Sequence, residues 1–72
     1  MTIKKLNEIF NYYNIPETAT LTSDSGWECD ATEMNGVYYN KKLNTIVFTQ
    51  TEEYSDYNEL KDWKNISKIK GD

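Results

Sequence analysis

Apolar and polar positions are patterned most clearly between Val37 and Thr49. Val37-Tyr38-Tyr39 and Thr45-Ile46-Val47-Phe48-Thr49 are rich in β-branched and aromatic residues, which suit a pleated, half-buried surface. The residues between them, Asn40-Lys41-Lys42-Leu43-Asn44, carry turn chemistry, because Asn tolerates positive φ and bonds its own backbone. The pattern predicts a β-hairpin over about 37–49. Period-two alternation puts Val37 and Tyr39 on one face, and likewise Ile46 and Phe48. Those pairs are assigned inward, and Tyr38 and Val47 outward. An outward Tyr38 and Val47 form an apolar patch that wants a second layer or a dimer mate.

Ahead of the hairpin, Ile3, Leu6, Phe10 and Tyr13 recur at helical spacing, with Ile9 widening the stripe. Thr2 is a suitable N-cap. Pro16 restricts Ile15, so the predicted helix covers about 3–14. Glu17 to Ser23 alternates and predicts a strand with Ala19 and Leu21 inward. Asp24-Ser25-Gly26 signals a turn. Residues 27–34 fit either an irregular strand, turning at Asn35-Gly36, or an ordered loop pinned by Trp27. After the hairpin, Ser55 is a candidate N-cap, and Tyr57, Leu60 and Trp63 predict a short helix over about 56–64. The tail from Asn65 either extends that helix, adds an edge strand or frays.

Strands flanked by helices, with no long crossover, predict an α+β fold: a small antiparallel sheet with the N-terminal helix on one face. With 72 residues the chain is a single small domain over 1–72. A chain this short buries only about 60% of its unfolded surface, so docking onto a partner or a homodimer is a reasonable way to complete its core.

Composition narrows the chemistry. Net charge is −4, with no His, and all eight basic residues are Lys. No imidazole is available as a general base or metal ligand. No guanidinium is available to grip phosphate or guanine. Direct nucleic-acid binding and adhesion to an anionic membrane are therefore not expected. The single Cys29 allows no internal disulfide and lacks a His partner as a nucleophile. The lone thiol, the lack of an apolar signal segment at the N-terminus and the lack of any membrane-length apolar run give a cytoplasmic expectation. Asp24, Glu28, Asp30 and Glu33 lack the alternate spacing and central Gly of a calcium loop. No catalytic residue, metal ligand or cofactor site is assigned.

What remains is charge and aromatic surface. Between Glu17 and Asn40 there are five acids and no Lys, a local charge of −5. Between Glu52 and Asp62 there are five acids against Lys61, a local charge of −4. One ordinary consequence is a solvated acidic surface. The other is an acidic face that steers toward a basic protein partner. On the second reading the candidate partner-binding residues are Asp24, Trp27, Glu28, Asp30, Glu33, Tyr38, Tyr54 and Tyr57. Exposed Tyr and Trp supply interface anchors at small entropic cost.

The run from Ser23 to Asp30, followed by Gly36 to Asn40 and Thr45 to Gln50, resembles small uncharacterised proteins of phages and conjugative elements of low-GC Gram-positive bacteria. That resemblance covers most of the chain and carries no diagnostic motif. It implies a chain encoded on a mobile element; the −5 segment beside the aromatic residues adds the expectation of a non-enzymatic interaction module that acts on a host protein. Similar segments also resemble N-terminal pieces attached to acyl-CoA-dependent acetyltransferases, which implies an accessory domain without catalytic residues. The Gly-rich pyrophosphate cradle of those enzymes is absent, since Gly26, Gly36 and Gly71 are isolated. No acetyl-CoA site carries over.

Overall fold

The computed structural model describes residues 1–24, 33–52, 57 and 61–69. In chain order these form α1 (Ile3–Tyr12), β1 (Thr20–Asp24), β2 (Gly36–Asn40), β3 (Thr45–Thr49) and β4 (Trp63–Asn65). The fold is α+β: a four-stranded sheet in the order β1-β3-β2-β4, with α1 packed through Ile9 against its core.

The predicted hairpin is β2–β3, antiparallel, with Val37 opposite Phe48 and Tyr39 opposite Ile46. Its turn uses both flanking Asn residues. Asn40 Oδ1 accepts the Leu43 N–H at 3.0 Å, and Asn44 adopts φ 48°, a conformation Asn reaches at modest cost. Gly36 opens β2 because no side chain fits there. A Cβ would run into Thr49 Oγ1 and the Thr51 carbonyl.

Helix α1 begins where expected. Thr2 Oγ1 accepts the Lys5 N–H at 3.1 Å, satisfying one of the free first-turn donors. Its end differs from the expected residue 14. The helix closes at Tyr12, and Asn14 turns left-handed with φ 55°. The Ile15 N–H then returns to the Phe10 carbonyl at 3.0 Å and the Asn14 N–H to Asn11 at 3.3 Å, a Schellman closure. The stop is therefore this reversal, one residue before Ile15-Pro16. Along the stripe Ile9 is fully buried, whereas Ile3 is 79% exposed.

Three expectations about the sheet are corrected. The sheet is mixed, because β1 pairs with β3 in parallel, Leu21 beside Ile46. Asn44 joins the starts of the two strands. Its carbonyl accepts the Thr20 N–H at 2.9 Å, and its side-chain amide donates to Thr18 Oγ1 at 3.0 Å. Strands β1 and β3 thus start from the same anchor and run the same way. Leu21, expected inward, is exposed: among the described residues β1 is an edge strand, and Leu21 lines an open groove with Phe10 and Ile15. The helix expected over 56–64 does not extend to Trp63 and Lys64, which belong to β4 and pair with Asn40 and Tyr39. Of the rest of that span, Tyr57, Lys61 and Asp62 are described. Segment 27–34 falls mostly outside the described residues.

The α1-side core joins Ile9, Val37, Ile46 and Ile66, each fully buried, with Leu6, Phe10, Tyr39 and Phe48 packed around them. Burying one such aliphatic side chain is worth about 1.5–3 kcal/mol. Beyond β4 the tail stays attached to β2. The Ile66 N–H donates to the Val37 carbonyl at 2.9 Å, and Ser67 Oγ accepts the Val37 N–H at 2.8 Å.

Ile46→Ala is expected to lower unfolding free energy by about 2–5 kcal/mol, through lost transfer energy and a cavity. A domain of this length has roughly 4–11 kcal/mol in total. Leu43, 66% exposed, sets the comparison: Leu43→Ala should stay within about 0.5 kcal/mol. Denaturant titration of both variants reads the difference, and equal losses would place the core elsewhere.

Candidate interaction face

The sheet face opposite α1 carries a second cluster. Period two brings Asp24, Val47, Tyr38, Trp63 and Asn65 to this side, following the strand registers. Tyr57 lies against it. The Tyr57 ring sits 5.2 Å from Trp63, edge-on at 76°, and 5.5 Å from Tyr38, tilted at 32°. Its hydroxyl donates to Asp24 Oδ2 at 2.8 Å. Edge and offset contacts of this kind add about 0.5–1.5 kcal/mol beyond buried area.

Tyr38 is fully buried and Val47 nearly so. The second layer that these residues demanded is supplied within the chain. The Tyr38 hydroxyl donates to the Glu52 carbonyl at 2.9 Å, which also accepts the Asn65 side-chain amide at 2.8 Å. Among the described residues no buried side-chain polar atom is left without a partner. Tyr38 therefore acts as a packing residue. Its expected place on an exposed partner surface is corrected, because β2 is an interior strand covered on both faces.

The other candidates separate. Asp24 and Tyr57, each half-buried, meet in one hydrogen bond at the end of β1. Glu33 is exposed and bound elsewhere: the Met1 α-ammonium donates to Glu33 Oε2 at 2.8 Å and to the Met34 carbonyl at 2.9 Å. Trp27, Glu28, Asp30 and Tyr54 lie outside the described residues. Trp63, which belongs to the cluster, was missed as a candidate. Its one sequence signal is the three-residue alternation Trp63-Lys64-Asn65, too short to display a period. Asn65 and Ser67 were missed for the same reason.

Described acids are mostly engaged. Asp62 pairs with Lys42 at 3.3 Å and Glu52 with Lys68 at 3.2 Å. Exposed pairs of this type contribute only about 0–1 kcal/mol, so a competing cation can displace them. Asp24, Tyr57 and Trp63 together offer a carboxylate beside electron-rich rings, which suits a cationic side chain. On the α1 side a groove of about 430 Å³ lies between Tyr13, Tyr39 and Ile66, with Lys64 Nζ 5.0 Å above the Tyr13 ring. Among the described residues no group of three or more His, Cys, Asp or Glu is placed to hold a metal ion, and no helix is long and apolar enough to cross a membrane. No family model, curated protein or solved structure matches the chain.

The Met1 ammonium, by hydrogen bond and then by charge, holds the Glu33 carboxyl below its ordinary 4.5. A lowered folded-state value means that the contact stabilises above the ordinary value and is lost as pH falls through the lowered one. Glu33→Gln is expected to flatten the acid side of a stability–pH curve below about 4.5 and to leave the neutral and alkaline side parallel to wild type. Thermal melts across pH test this; an unchanged acid limb would remove the ion pair from the folded state.

Proposed function

We propose that the chain is a non-enzymatic acidic interaction module, cytoplasmic, carried on a mobile genetic element, that binds a host protein through a basic surface of that protein. The observation that supports it most is the Asp24–Tyr57–Trp63 cluster, a carboxylate and two aromatic rings joined at the end of an exposed strand. It sits on a chain of net charge −4 with no His and no Arg. Charge sets the encounter rate and its salt dependence, and the aromatic rings supply anchoring area.

The reading also fits what surrounds the cluster. Glu52 is held by Lys68 at an exposed position, so a basic partner can replace that cation at small cost. Immobilised protein exposed to a low-GC Gram-positive lysate should retain one dominant partner at low salt and release it at high salt. Asp24→Asn with Glu33→Gln should weaken that capture by about fivefold for each charge. Capture that ignores both salt and the double substitution would overturn the acidic-face reading.

A further inference from the structure

Strand β1 ends the sheet on one side, and its outward backbone has a definite pattern. The Thr20 N–H donates to the Asn44 carbonyl of the β3 side. Backbone direction alternates along a strand, so Thr20, Thr22 and Asp24 bond toward β3, while the N–H and C=O of Leu21 and Ser23 point away from the sheet. Among the described residues no strand pairs with that side. Residues 20–23 are all exposed, and Leu21 is 60% exposed.

Natural sheets guard such edges with charge, Pro, a bulge or brevity. The opposite edge follows this rule: β4 has three residues, with Lys64 at its centre. Strand β1 has five residues, Thr-Leu-Thr-Ser-Asp, with no Pro and no charge before Asp24.

We propose that this edge pairs with a second copy of the same chain, β1 against β1 in antiparallel orientation, about a two-fold axis at Thr22. The occupant follows from self-complementarity. Centring on Thr22 sets Leu21 opposite Ser23 of the other copy and Ser23 opposite its Leu21. Both residues present N–H and C=O outward, so the two pairs exchange four hydrogen bonds. The two Leu21 side chains become diagonal neighbours on the α1 side, within mutual reach. They close over the groove of about 320 Å³ formed by Phe10, Ile15, Ala19 and Ile46. Asp24 falls opposite Thr20, so the two acids do not meet. The sheet becomes continuous across eight strands, and both Asp24–Tyr57 clusters stay on the face opposite α1.

This pairing is independent of the proposed host partner, and salt separates the two. Each copy carries −4, so screening strengthens self-association whereas it weakens capture of a basic partner. Two short strands bury less than the roughly 1,000 Å² of a stable interface, so the dimer is reversible and populated from about 0.1 mM upward. Sedimentation equilibrium of the full chain should show mass rising toward twice the monomer value, more so at high salt. Ser23→Pro removes only an outward N–H, and Leu21→Lys puts charge on the edge; both should remain monomeric with wild-type circular dichroism. Hydrogen exchange of the unaltered chain gives a reading that needs no variant. The Leu21 and Ser23 amides should exchange about tenfold more slowly at high than at low protein concentration. A strictly monomeric wild type up to about 1 mM, exchange at those amides independent of concentration, or a folded Ser23→Pro that dimerises like wild type would each overturn the proposal.

Discussion

The interior hairpin must be covered on both faces. Val37 and Ile46 face α1 and are fully buried, while Tyr38 and Val47 face the other way and are buried almost as completely. Two adjacent strands with apolar residues on both sides cannot be stable as one layer over one helix. Everything else is placed by that requirement. Helix α1 supplies Ile9 to one face. Tyr57 lies against the other, and β4 adds Trp63 beside it. Gly36 belongs to the same constraint, because the chain after β3 passes so close to β2 that Thr51 occupies the space of a side chain.

Much of this was legible in the residues themselves. The hairpin was visible because β-branched and aromatic runs flank a loop with Asn at each end, and both Asn residues perform the expected turn chemistry. The Thr2 cap was visible for a similar reason: its chemistry is local. Direction and coverage were not visible. Thr20 to Asp24 reads as a strand, but alternation says nothing about whether its neighbour runs parallel; that depends on a partner strand far along the chain, whose start Asn44 ties to Thr20. Tyr38 was assigned correctly to the face opposite Tyr39. Its exposure was misjudged because what lies over a face depends on residues distant in sequence. Strand β4 has three residues, fewer than two full periods, and Ile66 gains its buried place only through the β2 backbone.

For the candidate face, residue type was legible and pairing was not. Asp24 and Tyr57 were singled out separately, one for charge and one for an aromatic ring. The structure joins them through a hydrogen bond spanning the sheet face. Their union changes the character of each. A carboxylate that accepts from a phenol is held in one orientation, and a phenol held by a carboxylate meets the Trp63 ring at a set angle with little freedom left. An oriented acid beside fixed rings selects among cations more sharply than the same acid free in solvent. Glu33, by contrast, is tied to the chain's own ammonium group and stands apart from this cluster.

The parallel pairing of β1 with β3 also orders events in time. Strands β2 and β3 are joined by a four-residue turn, 41–44, and such hairpins close in microseconds. Among the described residues β1 has no such local mate, since its partner Thr45 comes 25 positions after Thr20 (45 − 20). During synthesis at about 5–20 residues per second, β1 leaves the ribosome about one to five seconds before the strand that receives it. The hairpin can thus close on local contacts alone, whereas the docking of β1 requires a partner strand that is made later.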